Sequence, residues 1–265
     1  MKKLIVMMLA LVVAFSFTAC NNDTPPVSDG PIEIIEPPTA TDAMPADMRA
    51  DYLALFGAIT SDTKFTDVSL IESRSMSYVD GVHCMSSRVD GNVMRMEFYS
   101  NVGDFKAGDL VIMTYDEEGK ETTYTYTYNG NKLSTEEMEK LMSSLSKLEA
   151  DSEERTLYKY SGTAKGLVIG DVTTDMSIII DETESSVSSS DDSSYSENSV
   201  SKLTINLNPE PYNGISSFVL YKVTGSDYGA PEFSIEVDGV AYSVEDDDYY
   251  TISNAVDKIS SMSYR

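Results

Sequence analysis

Short Asp-Gly, Glu-Gly and Asn-Gly pairs recur between stretches in which polar and apolar residues alternate. The pairs are Asp80-Gly81, Asp90-Gly91, Glu118-Gly119 and Asn129-Gly130. Alternation places every second side chain on one face of a strand, and a two-residue turn containing glycine joins neighbouring antiparallel strands. This pattern constrains the fold most, because it commits the chain to a sheet built largely from hairpins.

The same periodicity continues through the second half of the chain, and three segments change to helical spacing. The helices are predicted at 46–59, after Ser134, and around 252–262. The second helix should begin with a capping box at Ser134 and Glu137, followed by an apolar stripe. The stripe consists of Met138, Leu141, Met142, Leu145 and Leu148. The predicted strands are 65–73, 75–79, 82–89, 93–99, 110–115, 122–128, 156–160, 167–172, 176–181, 203–207, 218–223, 233–237 and 241–244.

The order of elements predicts an α+β fold with a large antiparallel sheet, either a curved sheet or an open half-barrel, and about three helices on one face. The segments "TYTYNGNKLS" and "SIEVDGVAYS" both read as strand, turn and strand before a helix. They are compatible with a duplicated αβ unit, with halves 46–150 and 151–265, or with a single α+β domain over 46–265. The sequence leaves both open.

The first residues predict export. Lys2 and Lys3 precede an apolar run at 4–17 that is shorter than the ~20 residues of a membrane-spanning helix, which is typical of a cleaved signal peptide over 1–19. The run ends at Phe17-Thr18-Ala19-Cys20, which resembles the lipobox of bacterial lipoproteins. The resemblance implies cleavage before Cys20 and a diacylglycerol on its thiol, with no other cofactor. The protein would then be lipid-anchored in the cell envelope, on the outer face of the inner membrane, the outer membrane or the cell surface.

Two segments have compositions that disfavour packing. Residues 20–45 contain most of the prolines and are predicted to be an extended tether after the lipidated Cys20. Residues 184–201 are rich in serine and poor in apolar residues, so we expect a disordered loop there.

The formal net charge of −25 makes nucleic acid a poor partner. His83 is the only histidine, and its neighbour Cys84 should point to the opposite face of a strand, so we expect neither a Cys–His dyad nor a metal site. We predict no catalytic residues and no metal ligands.

Tyrosines at every second position form two rows on predicted strands. Tyr124, Tyr126 and Tyr128 share one face, and Tyr158 and Tyr160 repeat the pattern. Such rows usually pack in a core, but an exposed row would offer an aromatic surface for a glycan, peptide or acyl ligand. These five tyrosines are the predicted ligand-binding residues.

The order of helices and strands over the mature chain also resembles the LolA-like lipoprotein carriers. That resemblance implies a half-barrel covered by helices and an apolar cavity, but it assigns no residue. The sequence as a whole predicts a non-enzymatic, membrane-anchored envelope lipoprotein that binds a protein, glycan or lipid on a sheet surface or in a sheet–helix cleft. The alternatives are a carboxylate-based hydrolase of envelope polymers and a passive structural lipoprotein.

Overall fold

The computed structural model of the protein describes residues 30–40, 42–118, 121–145, 151–188, 195–225 and 229–264. The predicted signal peptide, the lipobox with Cys20, and Leu148 lie outside the described residues.

The described chain is α+β, as predicted, with thirteen strands in one open and mostly antiparallel sheet. The strands are β1 (Asp42–Ala43), β2 (Phe65–Val79), β3 (Val82–Asp90), β4 (Val93–Phe98), β5 (Leu110–Glu118), β6 (Glu121–Tyr128), β7 (Asn131–Leu133), β8 (Ser152–Ile169), β9 (Val172–Ser188), β10 (Tyr195–Asn208), β11 (Ser217–Thr224), β12 (Glu232–Val237) and β13 (Val240–Ser243). Their order in the sheet is β1-β13-β12-β11-β10-β9-β8-β2-β3-β4-β5-β6-β7.

Three α-helices interrupt the strands in the predicted order. They are α1 (Ala46–Gly57), α2 (Thr135–Met142) and α3 (Tyr249–Ser260), and short 3₁₀ turns flank α3 on both sides. The predicted capping box of α2 is confirmed, since the amide of Glu137 donates to the Ser134 hydroxyl and the amide of Ser134 donates to the Glu137 carboxylate, at 3.3 and 2.8 Å. These bonds satisfy amides that a helix start otherwise leaves unpaired.

The sheet contains two runs of six strands with the same order, which start from the neighbouring strands β2 and β8 and extend in opposite directions. From β2 the sheet continues in chain order to β7, and from β8 it continues in chain order to β13 in the other direction. Each set of six strands ends in a strand–turn–strand–helix segment, with a left-handed Asn129 or Asp238 before the glycine of its turn. A short backbone bridge also precedes the fourth strand of each set. This strand order is compatible with a duplicated αβ unit, and the duplication itself stays a prediction.

By proximity of its residues the chain forms two compact units. Of the described residues, unit 1 contains those within 30–33, 72–157 and 184–197, and unit 2 contains those within 34–71, 158–183 and 198–264. Each boundary within the sheet falls inside one of four long strands, β2, β8, β9 and β10, which therefore contribute residues to both units.

Each unit has its own apolar core. In unit 1 the core lies between one sheet face and α2, whose Met138 is buried and whose Leu141, Met142 and Leu145 pack against it. In unit 2 the core is larger and is covered by α1 and α3. Its fully buried members include Leu55, Met176, Leu203, Leu220 and Val256.

The prediction of an extended tether over 20–45 is wrong for the part that the structure describes. Ile32 is 1% exposed and its amide contacts the sulfur of Met76 in unit 1, while the amide of Ile35 donates to the Thr183 hydroxyl in unit 2. Asp42–Ala43 then pairs in parallel with β13. Proline composition dominated the prediction, but isoleucines between the prolines supply enough apolar surface to dock the segment.

The predicted disordered loop at 184–201 is also wrong at both ends. Strand β9 continues to Ser188 and β10 starts at Tyr195, so only 189–194 lies outside the described residues. Serine hydroxyls find partners within the hairpin, since Ser199 and Ser201 both donate to Glu182 at 3.2 and 3.1 Å. A serine-rich sequence can therefore extend a ladder whose backbone bonds do not depend on apolar side chains.

Some segments that the sequence predicts as separate short strands belong to longer strands in the structure. The segments predicted at 65–73 and 75–79 are both within β2. The segment predicted at 156–160 is within β8, whereas the one predicted at 167–172 contains the end of β8, a turn and the first residue of β9. No helix among the described residues is long and apolar enough to span a membrane.

Candidate functional site

The first predicted tyrosine row runs from a half-buried to an exposed position along β6. Tyr128 packs edge-on against Phe105 and donates to the Asp109 carboxylate at 2.6 Å. Burial alone would raise the pKa of Asp109, but the bonds from Tyr128, Asn129 and the Lys106 amide together lower it. Tyr128 is thus part of a buried hydrogen-bonded network.

The exposed end of this row is Tyr124, whose ring lies parallel to that of Tyr126 at 6.3 Å. Tyr126 is partly buried against the unit 1 core, and Tyr124 is 36% exposed. The second predicted pair belongs to unit 2, where Tyr158 and Tyr160 stack at 6.2 Å and Tyr160 is buried. Of the five predicted tyrosines, Tyr124 is the one that presents an exposed ring.

A different aromatic row lies on the other face of the unit 1 sheet. His83 stacks on Tyr99 at 4.7 Å and lies 5.4 Å from Tyr78, so the three rings run across β2, β3 and the end of β4. Tyr99 is 52% exposed. We call Tyr78, His83 and Tyr99 the aromatic row.

A β-bulge places His83 in this row. Ser77 faces Met85, but Tyr78 faces His83, so Cys84 is an extra residue in β3. Such a bulge re-aims the side chains on one side of it. Cys84 turns into the unit 1 core, where burial raises the pKa of its thiol and its sulfur contacts the Ser77 carbonyl. His83 instead contacts the Ser86 hydroxyl at 3.0 Å, so the two residues do not form a dyad.

Cationic side chains flank the aromatic row. The guanidinium of Arg155 lies 5.3 Å from the centre of the Tyr78 ring, within the range of a cation–π contact. Arg155 is held in place by Glu153 on the same strand, at 2.6 Å.

A row of three arginines crosses the same face. Arg74 in β2 lies directly opposite Arg88 in β3, which lies directly opposite Arg95 in β4. Directly opposite residues have Cβ atoms about 4.5–5.5 Å apart. Tyr78 is four residues beyond Arg74 on β2, so the arginine row and the aromatic row share a face about 13 Å apart. We call Arg74, Arg88 and Arg95 the arginine row.

The sequence analysis missed both rows, although part of the signal was present. Arg88 and Arg95 are equally distant from the turn after Asp90, and a two-residue hairpin loop therefore predicts that they pair. Pairing of Arg74 with Arg88 depends on the bulge, for which no local signal exists.

A second feature of unit 1 is a polar cluster that includes the carboxyl of Glu154. The buried hydroxyls of Ser75 and Ser87 lie 2.8 Å apart, and Ser75 also hydrogen-bonds Glu154. Burial raises the pKa of Glu154, and the Ser75 bond offsets this only in part. The general acids of glycosidases are likewise carboxyl groups with a raised pKa.

Glu154 should make stability depend on pH. Its folded-state pKa lies above the ordinary value of 4.5, so the native state binds the proton more tightly, and stability should fall as pH rises from that value through the raised pKa. Glu154→Gln removes the titration, so the variant should gain stability relative to wild type across this window. Urea denaturation of both proteins at a series of pH values measures the difference. Parallel stability profiles would contradict the burial of this carboxyl.

Unit 2 contains a small pocket beside α1 and α3. Arg49 pairs there with both Glu245 and Asp248, the latter through two bonds of 2.5 and 2.8 Å. Tyr52 also lines the pocket, and burial raises its pKa to about 12. The cavity volume is about 20 Å³, enough for one water molecule but not for an acyl chain.

The described residues contain no group of three or more histidine, cysteine, aspartate or glutamate side chains placed to hold a metal ion. Comparison with known proteins adds no relative, since no family model, curated protein or solved structure matches the chain. The resemblance to the LolA-like carriers therefore stays a prediction.

Proposed function

We propose that the protein is a lipid-anchored lipoprotein of the cell envelope that binds a glycan on the sheet face of unit 1 that carries the aromatic row, without catalysing a reaction. The observation that carries the binding role is the aromatic row, three neighbouring rings that cross three strands, with His83 stacked on the half-exposed Tyr99. The face of an aromatic ring is electron-rich, and it packs well against the C–H groups of a sugar ring.

The anchoring part of the proposal rests on the lipobox-like segment before Cys20. Gly30 follows Cys20 by ten residues, and its carbonyl accepts a bond from Arg74 in the arginine row. A fully extended chain covers about 3.3–3.6 Å per residue. An acyl group on Cys20 would therefore hold the part of unit 1 around Gly30 and Arg74 within about 35 Å of the membrane.

Anchoring is tested by fractionating cells that express the wild type and Cys20→Ser. We expect the wild type in the membrane fraction and the variant in the soluble fraction, because two or more acyl chains hold a protein stably on a bilayer. A variant that stays with the membrane and matures to the same size would contradict lipidation at Cys20.

Glycan binding is tested by sedimenting purified protein with the insoluble polysaccharide fraction of the cell envelope. Tyr99→Ala should lose most of the sedimentation, because it removes the exposed ring of the aromatic row. Tyr250→Ala is the matched control, since Tyr250 is an exposed tyrosine in unit 2. Equal sedimentation of both variants and wild type, or none for any of them, would contradict the proposal.

One observation favours a second candidate, the carboxylate-based hydrolase. Glu154 is a partly buried carboxyl with a raised pKa, as a general acid requires. Under this alternative the purified protein would release soluble sugars from the envelope polysaccharide, and Glu154→Gln would abolish the release. Absence of released sugar from the wild type would exclude it.

A further inference from the structure

We propose that the arginine row is a binding site for an oxyanion, a carboxylate, phosphate or sulfate group, carried by the glycan that the aromatic row holds. Three of the six arginines in the chain lie directly opposite one another on adjacent strands. This inference rests on the proposed function, and it names an acidic glycan as the ligand class.

The three arginines of the row differ in how far neighbouring carboxylates compensate their positive charges. Arg74 pairs with Glu72 at 3.0 Å, and Arg95 pairs with Glu97 at 2.9 Å, each with a carboxylate two residues away on its own strand. Arg88, between them, makes no ion pair within the part of the chain that the structure describes. Like charges placed directly opposite on a sheet destabilise it. An anion at Arg88 would relieve this repulsion.

Arginine suits this role better than a point charge would. Its planar guanidinium presents paired N–H groups that match the two oxygens of a carboxylate, phosphate or sulfate. Arg88 is partly buried and Arg95 is about half exposed, so the row is open to a ligand at its β4 end.

The charge of the whole protein restricts the ligand further. At physiological salt, exposed charges are screened beyond about 8 Å, so a single acidic group senses mainly the local row. A polyanion extends past the row and meets the rest of a protein whose formal net charge is −25. The ligand that fits is a mostly neutral glycan with few acidic groups, long enough to cover the roughly 13 Å from Arg95 to Tyr99 along β4 and its end, where both side chains are exposed.

The test compares a neutral disaccharide extended by one terminal galacturonic acid with the methyl ester of the same trisaccharide, which differs from it in charge but not in the sugar rings. Calorimetry at physiological salt should give the acid an affinity about tenfold higher than the ester, the size of one hydrogen bond to a charged group. Arg88→Gln should lower the affinity for the acid to that for the ester. Lys132→Gln removes the same charge from β7 of unit 1 and should change neither affinity.

The stability of Arg88→Gln distinguishes a binding role of Arg88 from a purely structural one. Arg88→Gln relieves the like-charge contacts with its neighbours, so its thermal midpoint in the absence of ligand should equal or exceed that of the wild type. A lower midpoint would show that Arg88 supports the fold instead. Equal affinities for the acid and the ester in the wild type, or an unchanged affinity in Arg88→Gln, would overturn the proposal.

A third measurement covers the case in which neither trisaccharide binds, which would contradict the glycan-binding function. Inorganic phosphate is then compared with chloride at constant ionic strength. A higher midpoint in phosphate for the wild type and Lys132→Gln, but not for Arg88→Gln, would leave an anion site that takes free anions. No difference between Arg88→Gln and the other two proteins would overturn the site itself.

Discussion

Phe105→Ala should lower the free energy of unfolding by about 3–5 kcal/mol, the usual range for removing a buried phenylalanine. Phe105 is fully buried in unit 1, its ring stacks on Phe98 at 3.9 Å, and Tyr128 packs against its edge. The residue lies in the connection between β4 and β5, so its loss also removes the contact that holds this connection against the sheet. Chemical denaturation measures the loss.

The matched control is Tyr124→Ala in the same unit. Tyr124 is 36% exposed, so its truncation should cost well under half of what Phe105→Ala costs. Equal losses for the two variants would contradict the assignment of Phe105 to the core of unit 1.

Phe56→Ala should cost a similar ~3–5 kcal/mol, through the core of unit 2. Phe56 is on α1, is 1% exposed, and packs edge-on against Phe218 of β11 at 5.7 Å. Tyr52 contacts the same ring one helical turn earlier, at 5.0 Å. Truncation at Phe56 therefore opens a cavity where α1 docks on the sheet.

Tyr250→Ala is the control for a helical aromatic residue in unit 2, because Tyr250 on α3 is 76% exposed. It should leave the free energy of unfolding within about 0.5 kcal/mol of the wild type. A small effect at Phe56 would contradict the docking of α1 on this sheet.

The features of this fold that could be predicted are those that depend on residues close together in the sequence. The capping box at Ser134 and Glu137 involves residues three apart, so it determines the start of α2 without help from the rest of the chain. Glycine turns and alternation likewise predict most strands and the α+β class. They do not predict strand ends, because backbone pairing continues through polar residues such as Ser185 and Ser186.

The candidate site was harder to predict, because it depends on register between strands. The pairing of Arg88 with Arg95 follows from the length of one turn, but the pairing of Arg74 with Arg88 requires an extra residue at Cys84. The same extra residue moves His83 onto the face that carries Tyr99. A bulge of this kind is selected by the packing of Cys84 in the core, which alternation along the chain cannot reveal.

The central claim, that a ligand binds on this face of unit 1, is tested most directly through the imidazole of His83. His83 is the only histidine in the chain, so a carbon–proton correlation spectrum contains a single imidazole signal set from the protein. Titration with the trisaccharide that ends in one galacturonic acid should shift this signal progressively to saturation, with a midpoint equal to the calorimetric dissociation constant. A signal that stays in place while calorimetry detects binding would show that the ligand binds elsewhere and would contradict the account.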